Sequence, residues 1–469
     1  MLVLFFASAS FIAVAPVFSS AETVNGSWAS KAPMQVARSG LGVAVANGKI
    51  YAIGGDARGG KSPYVGSIVG TNAEYDSETD TWAFKESMPT PRCDFAIATY
   101  QNKIYCIGGI VGIDDVGRHI TGVNEVYDPE TDTWETKMSM PTARWALQAN
   151  VLNGKIYLIG GYVPDDSDFG GSISVLNEVY DPETDSWTTK ASMPVATAEY
   201  PSAVVDSKIY VISGLPSSSN LNQIYDAETD TWSQGALSPS SVRSGAAGAT
   251  VGVNALKRVY VLGVTWDLWE GEPSYTVRVY DPASDRWTYG ANVPTNRLNF
   301  RVAMVNDVLY AIGGYTRTYP DRYRVGDFIT LYATNEQYTP FGYGTPDPSY
   351  DGTAPEIAVT SPQNKTYYTA DVALNFTINE TVSSLSYTLD GEASVEISGN
   401  TTLTGLSYGA HNITVYAVDA SGNTGTSKTV FFTIAEPEPF PTTVVATASG
   451  ASLTIISIGL LIYFKKRKN

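Results

Sequence analysis

Arg38, Arg92, Arg144 and Arg297 each stand twelve residues ahead of an Ile or Leu that opens an apolar strand. Arg243, ahead of Val259, is the expected fifth, displaced by a longer turn, and the fourth place holds Thr197 with Glu199 and Tyr200 close by. A guanidinium offers a planar fork of donors that fits a carboxylate bidentately. If these side chains converge, an acidic sugar or an acidic peptide is their natural ligand, and Glu199 is a candidate base beside them. The opposing reading is structural, with each Arg bracing a neighbouring unit through Asp-rich turns. The sequence permits both.

Other chemistry is sparse. The two histidines, His119 and His411, lie far apart in the chain, and the two cysteines, Cys93 and Cys106, have no metal-like cluster around them. No Gly-X-Ser-X-Gly elbow, phosphate loop or Cys/His pair occurs. No metal and no cofactor is therefore expected, and no catalytic residue is assigned. A formal charge of −17 would repel a phosphate backbone, which sets nucleic acid aside as a partner.

The arginines sit in a repeating frame. Glu125–Trp134 reads Glu-Val-Tyr-Asp-Pro-Glu-Thr-Asp-Thr-Trp, with copies at 74–82, 178–187, 223–232 and 278–287. Upstream of each lies an apolar strand running into small residues, at 50–55, 104–109, 156–161, 209–214, 259–263 and 309–314; four of these end in Gly-Gly. Gly-Gly suits a place where the backbone must bend or approach a neighbour closely. Asp-Pro-Glu-Thr-Asp suits a tight turn, because Pro presets φ and Asp bonds nearby N–H groups. A four-stranded unit cannot bury both of its faces alone, so such units must stack.

Arg, apolar strand, Ile-Tyr-X-Ile-Gly-Gly, Tyr-Asp and then Trp resembles the kelch repeat, over about Trp28 to Phe341. The resemblance implies an all-β, six-bladed β-propeller with Tyr and Trp in its core. The early Trp28 strand is expected to complete the last blade, residues 297–341, which lacks a Trp strand of its own. In that family the Arg positions encircle one mouth of the central channel and often line the ligand face. Copper oxidases resembling galactose oxidase share this fold, but their site needs two neighbouring histidines, which this chain does not supply. A carbohydrate-active relative resembling the sialic-acid mutarotases, with Glu199 as base, is the alternative to a binding module. The long connections at 55–73, 109–123 and 161–177 are further candidates for binding.

The remaining segments suggest a surface protein. Residues 1–21 resemble a secretory signal, although no Lys or Arg precedes the apolar run. The expected domains are then the propeller at 22–341, a linker at 342–354, a small β-sandwich at 355–435, a Pro-rich spacer at 436–441, a transmembrane helix at 442–464 and a basic tail at 465–469. Tyr408–Val415 and Ala417–Asn423 resemble the last strands of prokaryotic immunoglobulin-like surface modules. Asn364, Asn375, Asn379, Asn400 and Asn412, together with Asn25, are glycosylation acceptors of the form Asn-X-Ser/Thr, and none occurs between Trp28 and Phe341. Residues 442–464 carry no charge and are followed by Lys465-Lys466-Arg467-Lys468, the pattern of a single-pass anchor with a cytoplasmic C-terminus. The expectation is a membrane-anchored cell-surface adhesion or binding module whose partner is an extracellular protein or glycan.

Overall fold

The computed structural model describes residues 26–58, 67–114, 117–165, 171–216, 220–264, 275–318, 328–347, 353–419 and 423–436. The chain divides into two compact units, Met1–Tyr350 and Asp351–Asn469. The expected signal (1–21), Asn25, the transmembrane segment (442–464) and the tail (465–469) lie outside the described residues. Among those described, no helix is long and apolar enough to cross a membrane.

Among its described residues, the first unit contains six four-stranded antiparallel sheets. Blade one runs outward through Gly42–Ala46, Lys49–Ile53, Asn72–Asp76 and Thr81–Lys85. Blade two uses Ala96–Tyr100, Lys103–Ile107, Asn124–Asp128 and Thr133–Lys137. Blade three uses Gln148–Leu152, Lys155–Ile159, Asn177–Asp181 and Ser186–Thr189. Blade four uses Ser202–Val205, Lys208–Ile212, Asn222–Asp226 and Thr231–Gln234. Blade five uses Arg243–Ala249, Val259–Val264, Arg278–Asp281 and Arg286–Tyr289.

Blade six joins the two ends of the unit. Arg301–Val305, Val308–Ile312 and Asn335–Thr339 are completed by Ser27–Lys31, with Trp28 opposite Tyr338. Each innermost strand packs beside the innermost strand of the next blade, and blade six returns to blade one, so the ring is closed. Closure leaves no open sheet edge at the seam, where an unpaired row of N–H and C=O groups would otherwise recruit another chain.

Packing between blades explains the recurring aromatic residues. Tyr75, Tyr127, Tyr180, Tyr225, Tyr280 and Tyr338 are at most 1% exposed, and each lies about one ring away from the Trp of its outer strand, with centroids 4.9 to 5.1 Å apart. Burying one such ring removes ~150–250 Å² from water, worth roughly 4–6 kcal/mol before ordering entropy. Six apolar clusters fill the six gaps between neighbouring blades, the last one joining Leu41, Val43, Ile50 and Tyr75 to Ala303, Tyr310 and Ile312.

The Asp-rich turn is a staple between blades. Tyr127 donates its hydroxyl to Asp132 Oδ1 at 2.7 Å, and the same oxygen accepts the Glu86 N–H of the previous blade at 2.8 Å. Trp134 Nε1 donates to the Glu86 carbonyl at 2.9 Å. One residue of the preceding blade is thus held by both its N–H and its C=O. Asp80 with Trp82, Asp185 with Trp187, Asp230 with Trp232 and Asp285 with Trp287 repeat the arrangement on Ala32, Met138, Ala191 and Ala236. At the seam, Trp28 Nε1 reaches the Ala291 carbonyl at 3.1 Å. There the third and outer strands come from opposite ends of the unit, so no Asp turn connects them.

The second unit has a three-stranded sheet (Ile357–Ser361, Val372–Ile378, Thr401–Leu403) and a larger one built on Val382–Leu389, Gly409–Asp419 and Val430–Ile434. Val372, Leu374 and Leu403 from the first share one core with Ile413, Val415, Phe432 and Ile434 from the second. Alternation along Val372–Ile378, buried and exposed by turns, is what packing on one face requires.

Candidate functional site

The Arg positions are joints inside the blades. Arg38, Arg92, Arg144 and Arg297 are at most 1% exposed. Arg144 donates to the carbonyls of Gly160 (2.7 Å) and Leu158 (3.3 Å) and pairs with Glu178 Oε2 at 2.8 Å. Arg92 reaches the Cys106 carbonyl at 2.8 Å and Glu125 Oε2 at 3.0 Å. Arg297 binds the Gly313 and Ala311 carbonyls and Glu336. All of these partners belong to the blade that the Arg opens, and not to the Asp-rich turns of a neighbour that the bracing alternative expects. The link to the neighbour runs through the backbone instead. Gly55, Gly109, Gly161, Gly214 and Gly314 each donate an N–H to the carbonyl at the Arg position of the next blade, at 2.8 to 2.9 Å. Gly54, at φ +62°, shows why glycine is needed there, since a Cβ would stand 2.6 Å from the Arg92 carbonyl.

The charge pattern differs between blades. Glu125, Glu178 and Glu336 neutralise the Arg of blades two, three and six, and each also accepts a Thr hydroxyl, from Thr90, Thr142 and Thr295. Blade four is neutral: Gln223 accepts the Val195 N–H at 2.9 Å and donates to the Val195 carbonyl and Thr197 Oγ1. Blade one has Arg38 with Ala73 at the Glu position, and the guanidinium is held by the Gly54, Thr71 and Ala52 carbonyls. Burial pushes Arg38 down to about 10.

In blade five the expected Arg243 is one residue late. Val242, fully buried, occupies the joint, and its carbonyl takes the Gly214 N–H. Arg278 is a buried guanidinium of this blade; it stands where other blades carry Glu and donates to Ser240 Oγ at 2.8 Å.

The polar groups that do meet at the channel mouth lie two residues after each joint. Gly40, Asp94, Ala146, Glu199, Ser244 and Asn299 all take left-handed backbone conformations, with φ between 48° and 59°. Gly40 N–H donates to Asn299 O, Asp94 to Gly40, Ala146 to Asp94, Glu199 to Ala146 and Asn299 to Ser244, at 2.8 to 3.3 Å, so main-chain bonds link five of the six neighbouring pairs around the mouth. Side chains around it alternate between small and large. Gly40, Ala146 and Ser244 leave room for Asp94, Glu199 and Asn299.

Asn299 Nδ2 donates to Asp94 Oδ1 at 3.0 Å across Gly40, whose Cβ, if present, would stand 2.8 Å from that oxygen. Ser244 Oγ donates to Glu199 Oε2 at 2.7 Å. Arg301 Nη1 donates to Asn299 Oδ1 at 2.9 Å, and Nη2 lies 3.7 Å from Asp94 Oδ1. Desolvation raises the Asp94 carboxyl above its usual range despite Arg301 and Asn299, and the nearby Glu199 and Asp56 charges add to the rise. Desolvation lowers the Arg301 guanidinium, which Asp94 and Glu199 partly offset.

Of the expected site residues whose side chains are described, the structure brings Glu199 to the mouth. Asp94, Asn299, Ser244 and Arg301 are its company, and the sequence reading passed over them. Their signal is present in the repeats: the residue two after each joint alternates small and polar.

Among the described residues, three hairpins rise on the same face, Ile110–Asp114 with Gly117–Ile120, Tyr162–Val163 with Ser172–Ile173, and Tyr315–Thr318 with Phe328–Leu331. Their bases pair with the residues that follow the joints, Cys93 with Ile110, Trp145 with Tyr162 and Leu298 with Tyr315. Cys93 and Cys106 are buried free thiols. Among the described residues, no group of three or more His, Cys, Asp or Glu is placed to hold a metal ion.

Repeated joints, Gly-Gly strand ends and Tyr–Trp staples recur around the closed ring, and four of the repeats match kelch motifs. Models of the Kelch motif match residues 37–89, 91–141 and 148–194, and a second Kelch motif model matches 196–239. Kelch-like protein 15 of Danio rerio is 32% identical over 202 residues, covering 41% of this chain and 32% of that protein. Alpha-scruin of Limulus polyphemus is 28% identical over 198 residues, covering 42% of this chain and 21% of that protein. The matched stretch thus spans a third or less of the length of these relatives. Among solved structures, one titled "Structure of YjhT" aligns with a TM-score of 0.48 and 18% identity over 64% of this chain and 98% of that chain.

Proposed function

We propose that this chain is a cell-surface binding module whose propeller takes a protein or glycan ligand at the mouth ringed by Asp94, Glu199 and Asn299. The observation that carries the reading is the Asn299–Asp94 bond across Gly40, because it joins polar side chains from non-adjacent blades at a place where no core packing requires them. Variable hairpins around a rigid ring are where such a scaffold can vary its partners. Kelch propellers serve as protein-binding modules.

Among the described side chains at the mouth, the Asp94 and Glu199 carboxylates face the Arg301 guanidinium, an excess of negative charge. The ligand this favours is rich in donors: a hydroxyl-bearing glycan or a protein segment carrying a basic side chain. The acidic ligand expected from the sequence rested largely on Arg38, Arg92, Arg144 and Arg297, which are buried. Residues 442–464 would anchor the chain by a single pass, the tail 465–469 would stay cytoplasmic, and the second unit would be an immunoglobulin-like stalk.

The test is binding of the chain from Glu22 to Ile434 to arrays of glycans and extracellular proteins, beside Asp94→Asn and Glu199→Gln. Loss of a specific hit in both variants at unchanged melting temperature supports the mouth as the site. Hits untouched by either variant would move the site to the hairpins.

One observation favours a second reading, a carbohydrate-active propeller resembling the sialic-acid mutarotases. A carboxyl raised by burial, Asp94, shares the mouth with Glu199, a pairing suited to giving and taking a proton. Anomer exchange of an array hit, followed by NMR and abolished in Asp94→Asn, would favour it over simple binding.

A further inference from the structure

The second unit presents its acceptor asparagines unequally. Asn364, Asn375, Asn379 and Asn400 are exposed, and so are the threonines two residues after them, Thr366, Thr377, Thr381 and Thr402. Asn375, Thr377 and Asn379 follow one another at every second position along and just past Val372–Ile378, so period-two alternation turns all three away from the core. Their surroundings on the three-stranded sheet are small or polar: Ala358, Thr360, Ala373 and Thr402 are exposed on it. Among the described residues of that sheet, no large side chain is exposed on this face.

Hydrogen bonding divides the acceptors in the same way. Asn379 uses Oδ1 to accept the Glu356 N–H at 2.8 Å, and Asn400 uses Oδ1 to accept the Phe376 N–H at 3.0 Å. Substitution at Nδ2 preserves both bonds. Asn412 is only part-exposed and directs Nδ2 at Asp390 Oδ1, 3.5 Å away, and its Thr414 is buried with Oγ1 2.8 Å from Thr429 Oγ1.

We infer that Asn364, Asn375, Asn379 and Asn400 carry N-linked glycans, that the outer face of the three-stranded sheet is a glycan-covered surface, and that Asn412 stays unmodified. The inference rests on the surface location proposed above. In the transfer, Asn Nδ2 bonds to the anomeric carbon of a glycan carried on a lipid phosphate or diphosphate. The bond from that carbon to the carrier oxygen breaks, the carrier phosphate leaves with the electron pair, and the amide nitrogen gives up one proton.

The experiment uses the full chain purified from membranes of the cells that make it. Intact cells are first labelled with a membrane-impermeant amine reagent, which reads surface location independently of any glycan. Glycopeptide mass spectrometry then reads occupancy at each asparagine. Surface labelling with glycan on the four asparagines and none on Asn412 supports the inference. Surface labelling without glycan overturns it and leaves the surface reading standing, whereas absence of both overturns both. Glycan on Asn412 at the level of the other four overturns the selection by exposure. Thr377→Ala and Thr402→Ala, both at exposed positions, should each remove the glycan from Asn375 or Asn400 alone, and the serine variants should retain it.

Discussion

Blades three and four place the same joint between the same strands, yet one is held by charge and the other is not. Arg144 and Glu178 form a buried ion pair in blade three, while Thr197 and Gln223 fill the corresponding space in blade four with neutral hydrogen bonds. Both joints pass their backbone carbonyl to the preceding blade's glycine at 2.9 Å. The difference teaches that the ring requires satisfied donors and acceptors at this point, and that charge is one way of supplying them. A buried ion pair costs about as much to desolvate as its attraction returns, so a neutral replacement of both partners can stand in for it. Removing one partner is a different matter, because it strands the other without water or counter-charge.

The largest expected effect follows from that asymmetry. Glu125→Ala leaves Arg92 buried without its carboxylate, and unfolding in urea should show a loss of about 3–5 kcal/mol. Asp132→Ala removes the acceptor shared by the Tyr127 hydroxyl and the Glu86 N–H, with an expected loss of about 1–3 kcal/mol by the same measurement. The Tyr127 bond, followed by the Glu86 N–H, holds the Asp132 carboxyl below its ordinary value of 3.8, and Asp80 behaves likewise through Tyr75 and Ala32. Folded values below the unfolded one mean that this stability is present above about pH 4 and drains away as pH falls further. Acid titration of the wild type should therefore be steeper than that of Asp132→Ala.

Blade one offers the reverse experiment. Ala73 stands where Glu178 stands in blade three, beside an Arg38 held by carbonyls and the Met34 sulfur with no carboxylate bonded to it among the described residues. Ala73→Glu should raise the melting temperature, by on the order of 1 kcal/mol of stability, if the new carboxylate reaches the guanidinium.

The smallest effect belongs to the second unit. His411 Nδ1 lies 2.7 Å from Asp390 Oδ2 and Nε2 lies 2.8 Å from the Ser407 carbonyl, so both ring nitrogens face acceptors. Burial works against the charge, but the Ser407 carbonyl and the Asp390 carboxylate outweigh it and raise the imidazole above its ordinary 6.5. A raised folded value means that the contribution is complete below pH 6.5 and is lost as pH rises through the folded value. The unfolding midpoint of this unit should fall over that window in the wild type and stay level in His411→Gln.

What the sequence revealed and what it hid follow from how local each requirement is. Gly54-Gly55 and the Tyr127–Trp134 turn each answer a constraint met within a few residues, a close approach or a tight turn, and so they repeat visibly. The direction of Arg144 is decided by carbonyls and a Glu far along the chain, so its spacing was legible and its destination was not. Arg243 shows the limit of spacing alone: the longer turn of blade five puts the joint, Val242, seventeen rather than twelve residues before Val259, and a buried cation stands on another strand as Arg278. Asp94 and Asn299 are separated by 205 residues and meet only because Gly40 has no side chain between them. Their alternation with small residues becomes legible only after the copies are aligned on the joint rather than on the strand.

The central claim, that the joint needs matched partners rather than charge, is tested most directly by copying blade four into blade three. Arg144→Thr, Glu178→Gln and the double variant would be unfolded in urea beside the wild type. Each single variant should lose about 3–5 kcal/mol, and the double variant should lose clearly less than either. Losses that simply add in the double variant would contradict the account and make the ion pair itself the source of the blade's stability.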